Sequence, residues 1–437
     1  MSEEKGFFGY MGRILRVDLT HGKWSAEPLK MDLVENFVGG RGFGIKILFD
    51  EVPKGVDPLS PDNKLVITTG PLGGTKAQST SRWIAQFKSP ITGIYCRSVA
   101  GGFFGAEMKF AGYDVIIIEG RAEKPVYLWI NDDKVEFRDA AKVWGMTTLS
   151  AREFIREETD ERARMAMIGP AGEKLVKISA IVTDDMRTAS RGGGGAVMGS
   201  KNLKAIVVKG SKKVAIYDEE AFDEAVKEQI ETYRKNPALE HFRSLGTDGI
   251  VYLFYTMGNF PTYNFKQLPL EGVHRFAPEV LASYVVKHGG CYSCMMRCWK
   301  TFKLTNGPYG GIVWEFPEYE THWSYGGVLG NCNIESITVA NMLSDLYGLD
   351  TISTGVAIAF AMELYEKGYI PKGESPIPLE FGCGDALVEA IRMMGEQNTP
   401  LGKLLAKGSY RLAEHYGHPE LSMSVKKQEF PAYDPRA

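Results

Sequence analysis

The chain carries almost no surplus charge: 51 Lys and Arg against 54 Asp and Glu leave a formal net charge of −3 over 437 residues. That balance gives no electrostatic case for nucleic acid or for an anionic membrane surface. A long apolar run is also missing. The most hydrophobic helical stretch, GVAIAFAMELY from Gly355, is too short and too soon charged to span a bilayer. The opening segment MSEEKGFFGYMGR is acidic and has no apolar centre, so it does not read as a secretory signal. Cysteine is scarce. Six in the whole chain, three of them crowded into one loop, do not make a disulfide framework and fit a reducing cytoplasm with one metal site.

Glycine, by contrast, is abundant at 49 residues, well above the ~7% of an average protein. These glycines form no low-complexity tract. They gather in GGRGFG (39–44), TTGPLGG (68–74), AGGFFGAE (100–107) and RGGGGAVMGS (191–200), a pattern that brings backbone close to something in several separate loops.

At this length two or three domains are expected. Strand-like runs dominate the first part: 14–19 before the His21-Gly22 turn, 64–69, 115–119, a hairpin over 125–140, then 174–185 and 203–210. Helical patterns interrupt them at 31–52 and about 148–160. Beyond Ser211 helical periodicity takes over, starting with the capped, acidic-start DEEAFDEAVKEQIETYRKN (218–236). It returns at 335–349, 354–367, 384–397 and 401–416. The chain therefore reads as α+β, a β-rich domain followed by an α-helical one, with the boundary near 210–217.

Four motifs carry chemistry. In GCYSCMMRCWK, Cys291, Cys294 and Cys298 hold the spacing of three iron–sulfur ligands whose fourth comes from elsewhere. A zinc site completed by His288 stays open as the alternative. Around DDMRTASRGGGG, Arg187 and Arg191 beside four glycines offer fixed cations and backbone N–H groups, a cradle for phosphate or an ordinary turn. AGGFFGAE with Arg82 upstream invites the same reading. Asp345 and Asp350 bracket Gly348 and can accept hydrogen bonds from a heterocycle, or simply end a helix. EFPEYETHW (315–323) sets three carboxylates and a histidine among aromatics, where a carboxyl with a raised pKa can act as acid or base.

Taken together, these motifs resemble the aldehyde:ferredoxin oxidoreductase family of tungsten-pterin enzymes. The resemblance runs in order through MGRILRVDL, NKLVITTGPLGG, KSPITG, GGFFGAEMKFAGYD, IGPAGE, RGGGGAVMGSKNLKAI, the cysteine loop, PEYE, GLDTISTG, YGHPELSMSVKK and PAYDPR. It implies a two-sheet pterin-binding base over 1–210, a helical domain over 211–417 and the start of a further helical domain over 418–437. The implied activity is oxidation of aldehydes to carboxylic acids at tungsten (or molybdenum) held by two pterins. Electrons would leave through a [4Fe–4S] cluster to ferredoxin or an iron–sulfur subunit, and the enzyme would be cytoplasmic.

Position by position, the resemblance implies that Cys291, Cys294 and Cys298 ligate the cluster. Arg82, Gly101, Arg187, Thr188, Ser190 and Arg191 would contact the pterins, with the Val99 and Thr188 carbonyls on a Mg2+ between their phosphates. Asp345, Leu349 and Asp350 match the first of two pterin motifs, and Glu320 the glutamate beside the metal. Val339 and Met342 stand where some members bridge a homodimer through a metal, so a homo-oligomer here would rest on packing. Members continue past PAYDPR with the second pterin motif and the fourth cysteine. The chain is thus expected to be an N-terminal and middle portion, with a non-catalytic cofactor-binding subunit as the alternative.

Overall fold

A computed structural model describes residues 7–436; the first six residues of the acidic opening segment and residue 437 lie outside them. The chain divides into two compact units. The first comprises Met1–Leu175, Ala180–Asn236 and Cys291–Met295, and the second Val176–Ser179, Pro237–Gly290 and Met296–Ala437.

In the first unit the strands are β1 (Arg13–Asp18), β2 (Lys23–Pro28), β3 (Leu65–Thr69), β4 (Trp83–Lys88), β5 (Tyr95–Ala100) and β6 (Val115–Glu119). They are followed by β7 (Val126–Asn131), β8 (Lys134–Asp139), β9 (Arg164–Met167), β10 (Ile181–Thr183), β11 (Thr188–Ala189) and β12 (Leu203–Lys209). Its helices are α1 (Met31–Phe37), α2 (Arg41–Glu51), α3 (Phe104–Phe110), α4 (Thr148–Glu158), α5 (Pro170–Glu173), α6 (Gly194–Ser200) and α7 (Glu219–Lys235). Two six-stranded sheets form, in the orders β2-β1-β6-β3-β4-β5 and β11-β10-β9-β12-β7-β8. Only β1–β6 and β7–β12 are parallel pairs.

Period-two alternation explains the layering. Ile116 and Ile118 of β6 share one core with Leu128, Ile130, Ile206 and Val208 of the other sheet. Val115 and Ile117 face the opposite way, onto Phe43, Ile47 and Leu48 of α2. On β12, Ala205 and Val207 turn outward onto Ala151 and Ile155 of α4. Strand β6 is buried on both faces from Val115 to Ile118, and that stretch is continuously apolar. Beneath α3, Lys109 Nζ and Asp114 Oδ1 form a fully buried ion pair at 2.6 Å, and Asp114 Oδ2 accepts the Met11 and Gly12 N–H groups.

The second unit contains α8 (Ala238–Leu245), α9 (Val251–Thr256), α10 (Pro278–Ala282), α11 (Tyr319–Tyr325), α12 (Ile334–Tyr347) and α13 (Thr351–Glu366). After these come α14 (Gly384–Glu396), α15 (Pro400–Leu405) and α16 (Ser409–Tyr416). It also holds β13 (Val285–Gly289), β14 (Trp299–Lys303) and β15 (Val313–Glu315) in one sheet, and the hairpin β16 (Ser424–Val425) and β17 (Gln428–Glu429). The GVAIAFAMELY stretch lies in α13, whose residues from Ser353 to Leu364 are buried. Among the described residues no helix is long and apolar enough to cross a membrane.

The α+β reading holds, with local departures. The helix expected over 31–52 is two helices, because Val38 (φ 61°), Gly39 and Gly40 (φ 49°) break the turn between them. Of the strand expected over 174–185, only Ile181–Thr183 forms. Leu175 turns the chain in the left-handed region (φ 57°), and Ser179 bridges to Leu349.

Candidate functional site

In the first unit, β5 is the edge of one sheet and β11 the edge of the other, and the two lie side by side. An edge strand keeps one row of backbone carbonyls outside its own ladder. Val99 lies on β5 and Thr188 on β11, so both belong to these neighbouring edge strands. Thr188 Oγ1 and Ser190 Oγ are 3.0 Å apart, and the Arg191 carbonyl lies 3.9 Å from Cys96 Sγ on β5. Trp83 pairs with Ala100, which sets Arg82 opposite Gly101 at the end of the same ladder. Arg82 is exposed, while Arg187 and Arg191 are half-buried.

Cys291 and Cys294 belong to this unit too. A Cβ built on Gly101 would stand 2.8 Å from Cys291 Sγ and 3.8 Å from Arg82 Nη1, so thiol and guanidinium converge over a bare stretch of backbone. The Tyr292 N–H donates to the Gly102 carbonyl at 3.2 Å. Tyr292 also lines an open cleft of about 540 Å³ with Lys76, Phe110 and Lys212, so solvent reaches this loop. Ser79 Oγ lies 3.3 Å from Cys294 Sγ.

Asp185 is a neighbour that the sequence pattern contained but did not single out. Its carboxyl occupies the space a Gly102 side chain would need, 2.5 Å from the built Cβ. Burial raises its pKa, with the Asp184 charge adding to the effect. Asp184 itself accepts from Arg156 at 2.8 Å and Arg164 at 3.0 Å.

The four glycines after Arg191 do a different job from the one their composition suggests. Gly192 is left-handed (φ 86°), and a Cβ there would meet Cys96 Sγ at 2.2 Å. One on Gly194 would meet the Phe87 ring at 2.9 Å. They let the chain entering α6 lie close against Phe87 of β4 and Cys96 of β5.

The remaining site residues lie in the second unit. The Cys298 carbonyl packs against Gly246. His288, the would-be zinc ligand, puts Nδ1 3.1 Å from the Arg243 carbonyl. Among the described residues no three His, Cys, Asp or Glu side chains close on one ion position.

Glu320 sits in the first turn of α11, where its Oε2 accepts the Ala432 N–H at 3.0 Å and Tyr319 OH donates to the Ala432 carbonyl. PEYE and PAYDPR therefore meet in space. Helix α11 is pinned by Thr321 to Thr351 at 2.7 Å and by His322 Nδ1 to Asp248 Oδ1 at 2.6 Å. The carboxyl whose pKa burial raises near this segment is Asp248, with His322 opposing the shift. Asp345 and Asp350 are buried, not a solvated helix end. Trp314 Nε1 donates to Asp345 Oδ2 at 2.9 Å. Asp350 caps α13 through the Ile352 N–H at 3.1 Å and Ser353 Oγ at 2.7 Å, and Leu349 is buried between them.

Arginines and thiols thus gather near the two edge strands that lie side by side in the first unit. Comparison with known proteins gives the family. The model for the aldehyde ferredoxin oxidoreductase N-terminal domain matches residues 14–210, and that for domains 2 and 3 matches 224–437. The tungsten-containing aldehyde ferredoxin oxidoreductase of Pyrococcus furiosus is 46% identical over 439 residues, covering 98% of this chain and 71% of that one. The enzyme of that name from Thermococcus kodakarensis is 45% identical over 435 residues with the same coverage. An aliphatic sulfonate oxidoreductase, WOR-like subunit, from Pyrococcus furiosus is 35% identical, covering 93% of this chain and 67% of that one. Among solved structures, the active-site complex BamBC of benzoyl coenzyme A reductase aligns at a TM-score of 0.86 with 30% identity, covering 98% of this chain and 66% of that chain. The chain belongs to the aldehyde ferredoxin oxidoreductase family of tungsten-pterin oxidoreductases.

Proposed function

We propose that the chain acts in a cytoplasmic enzyme that oxidises aldehydes to carboxylic acids. Water supplies the oxygen, and two electrons pass singly through a [4Fe–4S] cluster to ferredoxin or an iron–sulfur subunit. The bound tungsten (or molybdenum) bis-pterin supplies the two-electron oxidation itself. The observation that supports this reading is the meeting of Arg82 and Cys291 over Gly101, a guanidinium and a thiol on one patch of backbone.

The chain's own groups then divide the work. Arg82, Arg187 and Arg191 neutralise pterin phosphates, Arg being suited to bidentate pairing, with Thr188 and Ser190 hydroxyls beside them. The Val99 and Thr188 carbonyls suit a Mg2+, a hard cation that prefers oxygen. In the second unit Asp345 and Asp350 accept hydrogen bonds from a pterin ring, and Leu349 packs between them. Glu320, oriented by the Ala432 N–H, takes the proton of the attacking water or orients the aldehyde. Cys291, Cys294 and Cys298 hold the cluster. All six cysteines are free thiols, which supports a reducing compartment. Any homo-oligomer rests on packing, since Val339 and Met342 offer neither the carboxylate nor the imidazole of the bridging-metal pair.

Identity of 46% over nearly the whole chain favours the enzyme over a non-catalytic cofactor-binding subunit. The test is anaerobic purification followed by tungsten, molybdenum and iron analysis and aldehyde-dependent reduction of a viologen dye. Stoichiometric metal with turnover is expected. Absence of both overturns the proposal.

A further inference from the structure

The segment Lys76–Ser79 is laced to the cysteine loop by more bonds than a passing contact needs. Ser293 Oγ donates to the Lys76 carbonyl at 2.9 Å, and Gln78 Nε2 donates to Ser293 Oγ at 3.3 Å. The Met295 N–H donates to Gln78 Oε1 at 3.1 Å, and the Ser79 N–H to the Ser293 carbonyl at 2.9 Å. From the other side the Gln78 N–H donates to Gln229 Oε1 of α7 at 2.9 Å. The result is a Ser79 hydroxyl 3.3 Å from Cys294 Sγ. Ser79 is also held at φ 63°, in the left-handed region that a side chain rarely adopts. Such a conformation persists only where the surroundings enforce it.

We infer that Ser79 is a positioning residue that sets the reduction potential of the cluster, by donating a hydrogen bond to the Cys294 sulfur. The inference rests on the [4Fe–4S] reading above. In a free thiol either atom can donate. A metal-bound thiolate has no proton, so the hydroxyl is then the donor. One electron entering the cluster adds one negative charge that its sulfurs share. An O–H dipole aimed at one of them therefore favours the reduced form, and hydrogen bonding to sulfur is one of the protein's levers on such potentials. Removing the donor shifts the ratio of reduced to oxidised cluster about tenfold toward oxidised, equivalent to a midpoint ~59 mV lower for a one-electron couple.

The experiment is a redox titration followed by EPR on anaerobically prepared holoenzyme, comparing the native protein with Ser79→Ala and Ser79→Gly. Both variants lose the hydroxyl, but only glycine also releases the backbone strain. Expected are equal downward shifts in both, with iron per chain unchanged. Native midpoints in both variants overturn the inference, as does a shift in Ser79→Ala that Ser79→Gly cancels, since that traces to strain. The unmodified protein supplies a readout independent of variant folding: an exchangeable proton coupled to the reduced cluster in ENDOR spectra, lost in D2O. Its absence also overturns the inference. A native protein with no iron–sulfur spectrum overturns the cluster reading itself, which the iron analysis distinguishes from a cluster with an unmoved potential.

Discussion

Substituting alanine for Gly101 separates a glycine needed for folding from one needed to seat a metal cluster. The backbone at Gly101 is not in the left-handed region, so alanine brings no conformational strain there. The cost lies in one contact. The new Cβ stands 2.8 Å from Cys291 Sγ, about 0.6 Å short of ordinary van der Waals distance. A free thiol relieves this by swinging about its χ1 bond. A sulfur fixed in a cluster cannot, and overpacking of that kind costs ~1–3 kcal/mol, or roughly 5- to 150-fold in cluster retention. Metal-free Gly101→Ala is thus expected to melt within about 2 °C of the metal-free native chain. The holo form should lose iron to a chelator at least about 5-fold faster. Native iron content and a native release rate would refute the placement of Cys291 as a ligand over Gly101. A large loss of stability in the metal-free protein would refute the claim that the cost falls on the cluster.

Three further perturbations test other parts. Glu320→Gln keeps an oxygen for the Ala432 N–H but removes the carboxylate, so kcat/KM should fall ~100- to 10,000-fold with metal content unchanged; a native rate removes Glu320 from the chemistry. Asp114→Asn strands the Lys109 ammonium, whose pKa burial already lowers, and should cost ~3–5 kcal/mol in a denaturant titration, part of it regained in Lys109→Met/Asp114→Asn, which keeps an acceptor for the Met11 and Gly12 N–H groups. A loss under about 1 kcal/mol contradicts a fully buried pair. Burial holds the Asp185 carboxyl above its usual 3.8, so the folded state binds that proton more tightly than the unfolded one. The stability this contributes is complete below 3.8 and fades as pH climbs through the raised folded value. Asp185→Asn should therefore remove a fall in melting temperature that the native protein shows as pH rises from about 4 towards neutrality, and an unchanged pH slope refutes this.

Strands buried on both faces were legible because each carries a short unbroken apolar run, VIII (115–118) in β6 and AIVV (205–208) in β12. The capped helix from 218 was legible from its start signal: Asp218 accepts the backbone N–H of Ala221. The failures have physical causes. The strands β4 and β5 escaped because alternation there mixes Trp83, Ala85 and Phe87 on the core face with Arg82, Gln86 and Arg97 on the other. Gln86 is nevertheless fully buried, its amide donating to Thr68 Oγ1 and the Gly40 carbonyl under α2. A polar residue buried by a distant helix disguises a strand as a loop. The small sheet β13–β15 escaped because its edge residues Val286 and Val313 are exposed and its strands are only three to five residues long.

The two glycine loops show where composition stops being informative about a site. AGGFFG and RGGGG look alike as candidates for a backbone cradle, and each follows or precedes an arginine. What a missing Cβ leaves room for is decided by whatever the fold brings opposite. At Gly192 and Gly194 that space is filled from within, by Cys96 and Phe87 about a hundred positions earlier in the chain. At Gly101 it is filled by Cys291, nearly two hundred positions later, with Arg82 alongside. The first arrangement uses its glycines to seat the start of a short helix. The second puts a thiol and a cation on open backbone, and it could not be anticipated from either loop alone because both partners are remote in sequence. The same holds for Ser79: nothing in TKAQSTSR marks it, and only the lacing of Gln78 to Ser293 and Met295 carries its hydroxyl to Cys294. Substituting the glycines should therefore divide by consequence, with Gly192→Ala lowering the stability of the metal-free chain and Gly101→Ala sparing it.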